Sequence, residues 1–98
     1  MGKLPNIHPG EILDMEFLIP PNITAYRLAK ATNIPKTRVS DIIKGNRRIT
    51  ANTALRLSVF LSNSAKFWLG LQDAYDLENE LNKEYKELWN IKAYMTAS

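Results

Sequence analysis

The sequence predicts an all-α fold, a bundle of about five helices, on three observations. Apolar residues recur at three- and four-residue spacings, and no alternating run bounded by hairpin turns marks a strand. Helix start and stop signals run along the whole chain, with hydroxyl caps at Thr24, Thr50 and Ser64 and breakers at Pro20-Pro21, Asn33, Gly45 and Asn63. The 98 residues, 45% hydrophobic and 23% charged, suit one folded domain and leave no room for two independent cores.

Each element follows in order. Residues 1–9 read as an extended arm, because Pro5 and Pro9 oppose helix. A short helix opens at Gly10-Glu11, with Ile12, Leu13, Phe17 and Leu18 as its apolar face, and Pro20-Pro21 stops it. Thr24 caps a second helix over 25–32, with Leu28 and Ala29 inward, and Asn33 can take the left-handed backbone that ends it. A third helix starts near Pro35 and runs to Lys44, where Gly45 closes it; Asn46-Arg47-Arg48 is a short basic loop. Thr50 caps a fourth helix over 51–62, with Ala54, Leu55, Leu57, Ser58 and Leu61 inward, and Ser64 caps a fifth from Ala65. Beyond it Phe67, Leu71, Ala74, Leu81, Tyr85 and Leu88 form a stripe interrupted at Glu78. That stripe fits one long helix or two broken near Asn79–Asn82, and a partner surface or a lid on the chain's own core.

The net charge of +3 conceals a sharper pattern. Arg27, Lys30, Lys36, Arg38, Lys44, Arg47, Arg48 and Arg56 face a single acid, Asp41, within residues 24–56, whereas both flanking segments are acidic. Self-repulsion opposes such a concentration, so a polyanionic partner is expected.

Several chemistries are excluded. Cysteine is absent and His8 is the one histidine, so no disulfide framework, thiolate zinc site or multi-histidine metal site is available, and no cofactor is expected. No apolar run approaches the ~20 residues of a membrane span, and the expected compartment is the cytoplasm. His8 reads as a helix-entry residue beside Pro9-Gly10. Glu11, Asp14 and Glu16 read as a solvated face, and no nucleophile stands in a matching motif, so the chain is not expected to be an enzyme. Phe67, Trp68 and Tyr75 fit core or dimer packing better than a base-stacking platform.

The informative stretch is TAYRLAKATNIPKTRVSDIIKGNRR, residues 24–48. Two short helices meeting at a sharp angle need a small residue at the crossing, a left-handed turn four residues later, an apolar plug in the corner and a buried face on the second helix. Ala29, Asn33, Ile34, and Val39 with Ile42 fill those places, and Leu28 completes the small core: a helix-turn-helix pattern. Lys36, Thr37, Arg38, Ser40, Asp41 and Lys44 are left on the outer face. Lys36 or Arg38 can donate to guanine, Thr37 can offer a hydroxyl or meet a thymine methyl, and Asp41 can accept from cytosine or orient a neighbouring Arg. Lys36, Thr37, Arg38, Ser40 and Asp41 are therefore the candidate base readers. Thr24 with its helix N-terminus, Arg27, Lys44, Asn46, Arg47 and Arg48 are candidate phosphate contacts. Which of Lys36, Arg38 and Asp41 meets a base is left open by the spacing.

The chain resembles the lambda-repressor-like (XRE) helix-turn-helix proteins, and more narrowly the HigA/VapI family of antitoxins. The resemblance rests on His8-Pro9-Gly10-Glu11, Tyr26-Arg27-Leu28-Ala29-Lys30, Arg47-Arg48-Ile49-Thr50, Thr53-Ala54-Leu55-Arg56-Leu57, Phe67-Trp68-Leu69 with Leu71-Gln72, and Tyr75-Asp76-Leu77. It covers about residues 7–78. Gly70 stands where the family usually has Asn, and residues 79–98 extend past the common core. The implied organisation is a lambda-repressor-like five-helix bundle: an N-terminal arm at 1–9, a helix-turn-helix DNA-binding domain at 10–78 and a C-terminal helical extension at 79–98. The resemblance implies a homodimer that binds palindromic operator DNA, represses its own operon and neutralises a RelE-like mRNA-cleaving toxin. The alternatives are a stand-alone XRE-type repressor without a toxin partner, and an interaction module whose basic patch binds RNA or an acidic protein.

Overall fold

The computed structural model describes residues 6–95, so Met1–Pro5 of the expected arm and residues 96–98 of the extension lie outside it. The described residues are helical, in five rods joined by short turns.

The first rod, α1, starts at Pro9, one residue before the expected position. Proline opposes helix only where its missing N–H is needed; at the first helical position that amide would have no partner. His8 caps it, the Gly10 N–H donating to His8 Nδ1 at 2.9 Å. Pro9–Ile12 is α-helical, and Leu13–Leu18 continues as a wider π-helical turn in which the Ile19 N–H donates to the Asp14 carbonyl at 2.9 Å. Leu13 and Leu18 stand five residues apart, on different sides of an ideal α-helix. The wider turn lets both enter the core, while Ile12 and Phe17 are half-buried.

The next three rods follow their caps. Helix α2 is Ala25–Thr32, with Thr24 Oγ1 accepting from the Arg27 N–H at 3.0 Å. Asn33 ends it at φ 57°, ψ 38°, in the left-handed region. Helix α3 is Lys36–Ile43, and Gly45 at φ 82° closes it, with Gly45 N–H donating to the Ile42 carbonyl and Asn46 N–H to the Asp41 carbonyl. Helix α4 is Ala51–Leu61, capped by Thr50 and ended by Ser62 at φ 58°, one residue before the expected breaker. Asn63 instead anchors the roof of the bundle, its Oδ1 accepting from Trp68 Nε1 at 2.8 Å.

Leu55 departs from expectation. It is 58% exposed, and Thr53 takes the buried place instead. At 3.6 residues per turn, Ala54, Leu57 and Leu61 define one face, from which Leu55 is turned by roughly a third of a turn; it shares the outer face with Val59. Helix α5, Ala65–Trp89, is unbroken across 79–82, because the segment holds no Gly or Pro and is rich in Glu, Leu and Lys. Its first half roofs the bundle through fully buried Trp68, which meets the rings of Phe17 and Phe67 at 5.2 and 4.9 Å. Leu71 of the expected stripe thus leans on the core, and Phe67 is exposed on one side while its ring meets Trp68; Ala74, Leu81 and Leu88 are exposed, and the Tyr85 side chain lies outside the described residues.

Gly10 is required by packing. A Cβ placed on it would overlap the Ile42 carbonyl oxygen, so α1 and α3 touch backbone to backbone at that point. Gly10→Ala is expected to cost about 1–3 kcal/mol through overpacking, read as a lowered urea midpoint. A midpoint that does not move would mean that α1 and α3 are further apart than this.

Candidate nucleic-acid interface

The interface is built on the junction of α2 and α3. Leu28, Ala29, Ile34, Val39 and Ile42 are all buried, so the two helices are clasped as the spacing predicts. The left-handed Asn33 lets the Ile34 N–H donate back to the Ala29 carbonyl at 3.1 Å, which aims the Ile34 side chain into the corner. With Val39 and Ile42 committed inward, the opposite side of α3 faces solvent.

The candidate base readers are not equally placed. Lys36 and Thr37 are exposed on the first turn of α3, whereas Arg38, Ser40 and Asp41 are half-buried along its flank. Thr24, Arg27, Lys44, Asn46, Arg47 and Arg48 are all exposed. Thr24 Oγ1 is occupied as an acceptor by its capping bond, which leaves its hydroxyl proton to donate. Tyr26, which sequence reasoning did not include among the contacts, is 58% exposed and stands beside two of the cations: Lys30 Nζ and Lys36 Nζ each lie 5.8 Å from its ring centroid. The start of α2 and the start of α3 therefore form one continuous surface.

Two of the basic residues are used within the protein. Arg56 Nη1 donates to the Thr32 carbonyl and its Nε to Asn52 Oδ1, both at 3.0 Å, tying α4 to the end of α2. Arg48 Nη2 donates to Asp76 Oδ2 of α5 at 2.7 Å. Behind it, Gln72 is fully buried: its Oε1 accepts from the Ile49 N–H at 2.8 Å, and its Nε2 donates to Asp76 Oδ1 at 3.0 Å. This chain of bonds fixes the loop leaving α3 onto α5 and explains why Gln72 and Asp76 accompany the Arg47-Arg48-Ile49-Thr50 motif. No local spacing signals it, since its partners lie 23 and 28 residues apart.

His8 joins the same corner. Its ring meets Tyr75 edge-on at 4.8 Å and lies within 4 Å of where a Cβ on Gly45 would stand. Burial holds the imidazole pKa below the ordinary 6.5, against a partly opposing pull from Asp76. The hydrogen bond from Arg48 holds the Asp76 carboxyl below the ordinary 3.8.

These directions fix a pH dependence. The unfolded chain takes up the His8 proton first, so this contribution to stability is complete above pH 6.5 and is lost as pH falls below it toward the folded pKa. Asp76 acts only below its ordinary 3.8, a separate window. Thermal midpoints are expected to drop between pH 7.5 and 5.5, and His8→Asn, which keeps a capping acceptor and removes the titration, is expected to flatten that drop. An equal drop in the variant would assign the dependence to other groups.

Comparison with known proteins agrees with this geometry. A helix-turn-helix family model matches residues 15–68. Virulence-associated protein I of Dichelobacter nodosus is 46% identical over 77 residues, covering 79% of this chain and 71% of that protein. A HigA-family addiction module antidote protein from Coxiella burnetii superposes with a TM-score of 0.87 at 44% identity, covering 93% of this chain and all of that one. The Pseudomonas aeruginosa antitoxin HigA, solved with the higBA promoter, gives the same TM-score and coverage at 36% identity. On this fold, this corner geometry and these likenesses, the chain belongs to the HigA/VapI family of XRE-type helix-turn-helix proteins, a family of DNA-binding antitoxins and regulators rather than enzymes.

Proposed function

We propose that the chain binds palindromic operator DNA as a homodimer in the cytoplasm, represses its own operon and neutralises a RelE-like mRNA-cleaving toxin. The observation that carries the DNA half is the exposed first turn of α3. Lys36 and Thr37 stand at the end of a helix whose other face is sealed in the core, beside the capped N-terminus of α2. That arrangement suits entry of α3 into a major groove with the α2 N-terminus against a phosphate. In this reading Lys36, Thr37, Arg38, Ser40 and Asp41 face base edges. Thr24, Arg27, Lys44, Asn46, Arg47 and Arg48 set register on the backbone. Arg48 reaches its phosphate from a position held by Asp76, while Arg47 acts from the open loop. The antitoxin half is supported by the HigA-family antidote protein and antitoxin that the chain resembles in fold and sequence.

Selection of bound duplexes from a random library tests the DNA reading. Two half-sites with centres about 10–10.5 bp apart, or a multiple, are expected; an asymmetric site bound by one copy would refute the dimer. Lys36→Ala is expected to cost about 1–3 kcal/mol on the selected site and to blur one position of it. An equal loss on random DNA would move Lys36 to the phosphates. Arg47→Ala is expected to weaken binding on every sequence and to lower the salt slope by about one unit. A slope that stays the same would place Arg47 outside the interface. Neutralisation is tested by co-expression with the protein encoded beside this chain, read as restored growth and co-purification; a chain that neither rescues nor co-purifies is a stand-alone repressor.

A further inference from the structure

Tyr26 stands where α2 and α3 meet the solvent together, and the core does not require it. More than half of it is exposed, while Leu28 and Ala29 fasten the same helix to the body. Two ammoniums converge on its ring. Lys30 Nζ comes from one turn further along α2 and Lys36 Nζ from the first turn of α3, each 5.8 Å from the centroid. The Lys30 contact is local, since residues four apart share a helix face. The Lys36 contact crosses the turn, and it depends on the angle that Asn33, Ile34 and Val39 set between the two rods.

An exposed lysine is a poor reader unless something restricts it. Its four-carbon stem samples many rotamers in water, and fixing it against DNA costs that freedom. Among the described residues the ion pairs are Arg48 with Asp76 and Lys83 with Glu80, so no carboxylate holds Lys36. A carboxylate there would compete with DNA for the ammonium and would repel phosphates. An aromatic face attracts a cation through its quadrupole yet carries no net charge, and it leaves the side of the ammonium away from the ring open to an acceptor. The ring thus narrows the range of Lys36 without neutralising it.

We propose that Tyr26 is a positioning residue of the DNA interface, its ring holding the Lys36 ammonium at the start of α3 so that the lysine is aimed before a duplex arrives. This rests on the reading of Lys36 as a DNA contact. A group arranged before binding lowers the ordering cost of the complex. An exposed contact of this kind corresponds to about a two- to fivefold change in an equilibrium constant.

The test is a double-mutant cycle on the full chain, read by fluorescence anisotropy with the selected operator duplex and with a random duplex. Tyr26→Leu is expected to weaken operator binding about two- to fivefold, with the helical circular dichroism and the urea midpoint unchanged. Tyr26→Phe, which keeps the ring, is expected to bind as the parent chain does. Pentafluorophenylalanine at position 26, which keeps the shape and reverses the charge distribution of the ring face, is expected to lose as much as leucine. The leucine loss is expected to vanish in a Lys36→Ala background and to persist in a Lys30→Ala background. A loss that adds in full to that of Lys36→Ala would overturn the proposal, as would one that disappears with Lys30, since the ring would then serve the other lysine. Equal losses for phenylalanine and leucine would also overturn it, because the hydroxyl and not the ring would then act. A Lys36→Ala loss equal on both duplexes, yet coupled to Tyr26, would refute base reading alone and leave the ring as the holder of a phosphate contact. A Lys36→Ala change that blurs one operator position with no coupling to Tyr26 would refute the ring's role alone.

Discussion

Asn33 turns the chain at φ 57°, which drives Ile34 into the corner between α2 and α3, and the burial of Ile34, Val39 and Ile42 then decides which side of α3 meets solvent. A β-branched residue at position 33 would strain the backbone, and asparagine is among the few side chains that tolerate it. The backbone contact of Gly10 with Ile42 presses α3 from a third side. The outward aim of Lys36 and Thr37 is thus a consequence of packing beneath them.

A second constraint works from the other end of α3. The loop that follows it carries Arg47 and Arg48, and a loop of that kind is ordinarily loose. Here the Ile49 side chain is buried and its N–H is satisfied by Gln72, a buried amide whose two polar atoms both have partners. Breaking one such bond costs more than the bond contributes, because the group left behind stays buried without water. The hydrogen-bonded run from Ile49 through Gln72 and Asp76 to Arg48 holds this basic loop in place on α5.

The same network divides the basic segment by use. The dense positive charge of residues 24–56 reads in sequence as one polyanion-binding face. In three dimensions Arg56 ties α4 to the end of α2 and Arg48 is paired with Asp76, while Arg27, Lys36, Lys44 and Arg47 are open to solvent. The acid needed on α5 also belongs to a helix whose far half presents leucines between carboxylates. One rod serves as roof over the core, brace for the loop and exposed edge.

The local signals were legible in the sequence: the caps at Thr24, Thr50 and Ser64, the left-handed Asn33, the closing Gly45, and the spacing of Ile34, Val39 and Ile42 that defines the corner. Each is a property of a few neighbouring residues, so spacing alone determines it. Tertiary structure decided the rest. The need for glycine at position 10, the wide turn that brings Leu13 and Leu18 together, the exposure of Leu55 and the pairing of Arg48 with Asp76 depend on segments remote in the chain or on small rotations about a helix axis. A helix that turns about 100° per residue leaves a boundary position such as Leu55 free to fall on either side, and only the neighbouring helices choose.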